Sequence, residues 1–125
     1  MATWQELRGY IASNYRLSED DGTSLTLVLD VGEGRTQSVF VSYIDVWGQV
    51  LIESPFAEVA KCDLTILRSI LADTLVGIRS NETHLLTSHQ TPIDYLQPEE
   101  FEVPLHLSVS VADDLEKRYF GGDEY

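Results

Sequence analysis

Residues 38–56, SVFVSYIDVWGQVLIESPF, decide how this chain folds. Val39, Val41 and Tyr43 alternate with Phe40, Ser42 and Ile44, so this stretch reads as a strand that is apolar on both faces. Trp47-Gly48 reads as a short turn. Val50-Leu51-Ile52 then reads as a second strand, again apolar on both faces, with Pro55 closing it. So short a link makes the pair antiparallel. A ribbon with two apolar sides is either central in a covered sheet or half of a subunit contact.

Towards the N-terminus, Leu25, Leu27, Leu29 and Val31 alternate with Ser24, Thr26, Val28 and Asp30, the pattern of a half-buried strand. Gly32-Glu33-Gly34 supplies the turn into the central pair. Thr3 followed by Glu6 is a capping box for a first helix, whose apolar face is Trp4, Leu7, Ile11 and Tyr15. Gly9 weakens that helix by about 1 kcal/mol relative to Ala. The acidic run Glu19-Asp20-Asp21-Gly22 reads as the loop that ends it.

Towards the C-terminus, Asp63 is a helix N-cap before a broad stripe of Leu64, Ile66, Leu67, Ile70, Leu71 and Leu75, which Gly77 stops. Residues 76–79 and 83–89 read as a hairpin around Ser80-Asn81. The final stretch carries two patterns. Leu105 to Val111 alternates like a strand, yet Phe101, Leu105, Val109, Ala112, Leu115 and Tyr119 share one helical face. Pro98 with Glu99 and Glu100 suits a helix start, while Lys117, Arg118 and Gly121 suit its end. The reading taken is a helix disturbed at Pro104. The fold class is therefore α+β: an antiparallel sheet of about five strands covered by helices, ordered α-β-β-β-α-β-β-α, in one domain over 1–125.

Twenty-one acidic against eight basic residues give a net charge of −13. Such a surface repels phosphate backbones and anionic lipids, so neither nucleic acid nor membrane is an expected partner. Cys62 stands alone and can form no internal disulfide, which suits a reducing, cytoplasmic setting. No signal peptide and no membrane-spanning run is read.

Catalytic groupings are sparse. His84 and His89 are five apart on a strand and point to opposite faces, and neither HExxH nor a CxxC pair occurs, so no metal or other cofactor is expected. No glycine-rich phosphate loop or nucleophile motif is present. Asp113, Asp114 and Glu116, with Asp123 and Glu124 behind them, could do acid–base work in a pocket, but read as a solvated helix face. Cys62 just before a helix reads as a buried structural thiol. Trp4 and Trp47 could anchor a partner, although core packing is the simpler account.

The order of elements resembles the type III secretion chaperone-like fold. Within that fold the chain is most similar to the YbjN-like family of bacterial sensory-transduction regulators. The residues that carry the likeness are Ser54-Pro55-Phe56, Asp63-Leu64 with Leu67 and Leu71, Pro92 and Asp94, Ala112-Asp113 with Leu115-Glu116, and Gly121-Gly122-Asp123. Pro104 and the alternating segment after it depart from the pattern.

The resemblance implies a small dimeric, non-enzymatic protein that binds a protein or peptide client. It implies client contact at Trp4, Leu7, Ile11, Val39 and Val41, and a homodimer interface at Leu67, Ile70 and Leu71. The competing reading is a small enzyme or a ligand- or metal-binding protein that uses the acidic cluster near the C-terminus.

Overall fold

A computed structural model describes residues 2–74, 76–121 and 125. Leu75 of the expected stripe, and Gly122, Asp123 and Glu124, lie outside the described residues. The elements run α1 (Trp4–Asn14), β1 (Leu17–Asp20), β2 (Ser24–Gly32), β3 (Arg35–Ile44), β4 (Gln49–Glu58), α2 (Leu64–Asp73), β5 (Gly77–Ser80), β6 (His84–Pro92) and α3 (Glu102–Leu115). The six strands form one antiparallel sheet in the order β1-β2-β3-β4-β6-β5. The expected α+β order holds, with one strand more than expected. That strand, β1, absorbs Glu19 and Asp20, leaving only the turn after them as loop.

Local chemistry explains the helix starts. The Thr3 hydroxyl accepts from the Glu6 amide at 3.2 Å, and the Asp63 carboxylate accepts from the Ile66 amide at 2.8 Å. Trp4, Leu7 and Ile11 of α1 and Phe101, Leu105 and Val109 of the C-terminal segment close over Leu25, Leu27, Val39, Val41, Val50 and Ile52. The Trp4 ring stacks on Tyr43 with centroids 5.4 Å apart, and its indole N–H donates to the Gly22 carbonyl at 2.8 Å. Ile70 of α2 joins a second cluster with Phe56, Ala57, Leu85, Ala112 and Leu115.

The buried side chains of all three helices thus lie on one face of the sheet. On the other face, the register aligns Thr26, Phe40, Glu53 and Ser88, each half-buried. That face is partly covered as well: Leu51, Pro55 and Leu86, which point to it, are buried.

Pro55 does not end β4. The strand continues to Glu58, with a register shift against β6 between Pro55 and Ala57. A proline can sit here because the β3–β4 ladder runs from Ile44–Gln49 only as far as the Phe40–Glu53 pair. Side chains then replace ladder bonds. The Ser54 hydroxyl donates to the Ser38 carbonyl at 2.6 Å, and the Gln37 amide donates to the Pro55 carbonyl at 2.6 Å and to Ser54 Oγ at 2.9 Å. Thr87 Oγ1 adds a bond to the Ser108 carbonyl at 2.9 Å. Gln37, Ser54, Thr87 and Ser108 are all buried. This polar seam lies between the two apolar clusters.

The last segment is helical, and the strand alternative is excluded. Pro104 causes no disturbance. A 3-10 turn occupies Pro98–Phe101 and the α-helix starts at Glu102, so the proline falls in the first turn, where its missing N–H has no helical partner to lose. The helix ends in a π turn over Glu116–Phe120, which Gly121 stops at φ 66°.

Candidate protein-binding surfaces

α2 splits its apolar stripe in two. Ile70 is buried and Ile66 half-buried, both against the second cluster. Leu64, Leu67 and Leu71, at i, i+3 and i+7, form the neighbouring strip. Leu64 and Leu71 are 68% and 54% exposed, and Leu67 is half-buried. Of the three residues expected at a dimer contact, Leu67 and Leu71 are thus available at the surface, while Ile70 faces its own core. Leu64 belongs with the outward pair, and the spacing of the stripe already contained it.

The residues expected to touch a client lie inside. Leu7, Ile11, Val39 and Val41 are fully buried, and Trp4 nearly so. The reason is the same amphipathic pattern that singled them out: these apolar positions turn towards the helices and sheet of their own subunit. Trp47, for which core packing is the simpler expectation, is instead 70% exposed, beside Val46 at 82%. A further outward strip on α3 holds Val103 and Leu107, one turn apart and 73% and 51% exposed. The helical periodicity already sets both off the apolar face of Phe101, Leu105, Val109, Ala112, Leu115 and Tyr119.

The acidic cluster does not form the solvated face expected of it. Of its described members, Asp113 and Glu116 are buried and Asp114 is exposed. Arg35 of β3 reaches Asp113 at 2.8 Å and Glu116 at 3.9 Å, and Lys117 reaches Asp113 at 3.2 Å. Burial alone would push the Asp113 carboxyl up, but the Arg35 and Lys117 hydrogen bonds and charges outweigh it and hold the group below its ordinary range. Asp114 pairs with Arg118 at 2.8 Å. Arg35 ties Asp113 and Glu116 to the sheet, while Lys117 and Arg118 pair with Asp113 and Asp114 along the helix itself.

A second polar group joins α1 to α3. The Tyr10 hydroxyl donates to Glu102 at 2.5 Å, the Tyr15 hydroxyl donates to the same carboxylate, and His106 Nε2 lies 3.1 Å from it. Burial would raise the Glu102 carboxyl, but the hydrogen bonds from Tyr10, Tyr15 and His106 hold it low. Burial, followed by the Glu102 hydrogen bond, pushes the Tyr15 phenol well above its usual range.

The Cys62 thiol is only half-buried rather than interior. Burial and the neighbouring Asp63 push it up, away from a reactive thiolate. A cleft of about 250 Å³ lies between Phe56, Lys61, Glu116, Tyr119 and Tyr125. Of the described members of the acidic cluster, it brings Glu116 to its wall, with Glu58 beside it. Among the described residues no group of three His, Cys, Asp or Glu side chains is placed to hold a metal ion. No helix among them is long and apolar enough to cross a membrane.

Two solved complexes contain a chain of this fold. The ExsC–ExsE complex matches with a TM-score of 0.69 at 15% identity, over 92% of this chain and 91% of that one. The HopA1–SchA chaperone–effector complex matches with a TM-score of 0.65 at 12% identity, over 90% and 91%. Identities this low establish the fold alone, and the expected secretion-chaperone-like architecture is met at that level. No protein-family model and no curated protein matches the sequence.

Proposed function

We propose that this chain is a non-catalytic protein-binding module of the chaperone-like kind, acting as a homodimer that holds a protein or peptide client in the cytoplasm. The observation that carries the reading is the outward leucine strip Leu64, Leu67 and Leu71 on α2, beside the smaller of the two apolar clusters. Exposed leucines in a row cost solubility unless a partner covers them. The likeness to two complexes, one of them the HopA1–SchA chaperone–effector complex, supports the client half of the proposal. The YbjN-like resemblance, carried by the short motifs of the sequence, supports a regulatory role.

The residues first assigned to the client and the dimer take modified parts. Trp4, Leu7, Ile11, Val39 and Val41 serve a client from beneath, by fixing α1 on the sheet. Leu67 and Leu71, joined by Leu64, meet the second subunit, while Ile70 holds α2 in place. Arg35 and Lys117 occupy the carboxylates that an acid–base enzyme would need free.

Light scattering after size exclusion tests the dimer. The expected mass is twice the 14.1 kDa of the chain. Leu64→Glu/Leu71→Glu is expected to halve it, leaving the circular dichroism spectrum unchanged. A wild-type chain that stays monomeric at high micromolar concentration overturns the proposal.

A further inference from the structure

One end of the sheet carries large apolar side chains that folding does not explain. The turn Asp45–Trp47 leaves Val46 and Trp47 82% and 70% exposed, and the turn Ile93–Tyr95 leaves Tyr95 77% exposed. Neither apolar cluster includes any of the three. The two turns are tied together. The Ile93 amide donates to the Gly48 carbonyl at 2.8 Å, Gln49 pairs with Pro92, and Ile93 itself is buried. Gly48 makes the junction possible by adopting φ 60°. The exposed rings therefore stand on a fixed base.

The charge at this end has one sign. Asp45 and Asp94 are exposed, one in each turn. No Lys or Arg occurs between Arg35 and Lys61, or between Arg79 and Lys117. The adjoining turn at residues 21–23, tied on by the Tyr43 amide bond to the Thr23 carbonyl, adds Asp21. Arg8 is committed to Asp20 at 2.8 Å. Aromatic faces beside unneutralised carboxylates suit guanidinium and ammonium groups, which stack on the rings and pair with the acids. Trp, Tyr and Arg are also the residue types that dominate interface energies. The same carboxylates repel anionic lipid and nucleic acid.

We propose that the end formed by Asp45, Val46, Trp47, Asp94 and Tyr95 docks a basic protein segment that carries arginine next to apolar residues. This rests on the reading of the chain as a protein-binding module, but uses a surface separate from the leucines of α2.

Trp47 reports on its own site. The chain has two tryptophans, and the other, Trp4, is buried and stacked on Tyr43. The full chain is titrated at near-physiological salt with a short peptide of alternating arginine and leucine, with its glutamate-for-arginine counterpart, and with phosphatidylcholine vesicles. The arginine peptide is expected to shift and quench the exposed tryptophan emission. By calorimetry, Trp47→Ala/Tyr95→Ala is expected to weaken binding about tenfold or more. Asp45→Asn/Asp94→Asn is expected to weaken it about threefold. Leu64→Glu/Leu71→Glu is expected to bind as the wild type does.

Unchanged affinity in Trp47→Ala/Tyr95→Ala overturns the proposal, as does no binding at all, or equal binding of the glutamate peptide. Binding to the vesicles in place of the peptide assigns the end to a lipid surface instead. Peptide binding lost only in Leu64→Glu/Leu71→Glu moves the client to α2, which overturns this inference and leaves the protein-binding reading standing.

Discussion

The cluster under β2, β3 and the first half of β4 is closed by this chain alone, with Leu7, Ile11, Leu25, Val39, Val41, Ile52, Phe101 and Leu105 all at 0% exposure. The cluster under the end of β4 and under β6 is smaller, with six buried members among the described residues, and its covering helix α2 turns Leu64 and Leu71 outward. The seam of Gln37, Ser54, Thr87 and Ser108 separates them. The difference teaches where a second polypeptide is needed. A region sealed by helices with polar outer faces supplies stability, and a region whose covering helix carries leucines outward supplies an attachment point.

The comparison breaks most readily in the closed half. Phe101→Ala is expected to cost about 3–5 kcal/mol in chemical denaturation, because a fully buried ring leaves a cavity that the packed neighbours cannot fill. Ile70→Ala in the open half is expected at about 2 kcal/mol, the low end for such a truncation, since α2 can settle inward. Its cost is also expected to grow with protein concentration in the dimer, a dependence that Phe101→Ala lacks. Equal costs and equal concentration dependence would erase the distinction between the halves.

Arg35→Ala tests the boundary between them. It leaves Asp113 and Glu116 buried without their shared cation. The expected loss is about 2–3 kcal/mol, below the full cost of an orphaned charge because Lys117 remains 3.2 Å from Asp113.

The hydrogen bonds to Glu102 sharpen the closed half through pH. Glu102 sits below its ordinary 4.5 in the folded chain, so the folded state holds fewer protons than the unfolded state there. Its contribution is present above that value and is lost as pH falls through the depressed folded one; Asp113 adds to the same acid limb. Tyr15 sits above its ordinary 10.0, so its contribution is present below that value and is lost as pH rises further. Glu102→Gln is expected to flatten both limbs in denaturant midpoints measured across pH. A variant with unchanged limbs would remove the Tyr10–Tyr15–Glu102 group from the account.

The smallest expected effect is that of Asp63→Ala, about 1 kcal/mol, because one cap bond to the Ile66 amide is lost. Hydrogen exchange is expected to show the loss in α2 amides and not in α1. Spread of the effect to α1 would mean that the two halves open together.

Periodicity made the helices, the alternation in β2 and β3 and both N-caps legible, because each is a local pattern with a local cause. What the sequence hid depends on distant partners or on backbone register. β1 has one apolar residue, Leu17, and lies at a sheet edge, so it carries no alternation to read. Pro55 passes through a strand only because Gln37 and Ser54 supply the missing bonds. Asp113 is buried only because Arg35, 78 residues away, meets it. The client and dimer candidates were drawn from apolar stripes, and a stripe alone does not say which half faces home. On α2 the answer divides Ile70 from Leu71, adjacent in the chain and opposite in role.

α3 is the one helix shared by both clusters: Leu105 and Val109 sit in the closed one, Ala112 and Leu115 in the open one. It is a common beam laid across the seam, so the two halves share one roof, and neither can be stripped from α3 without baring apolar surface on the same helix.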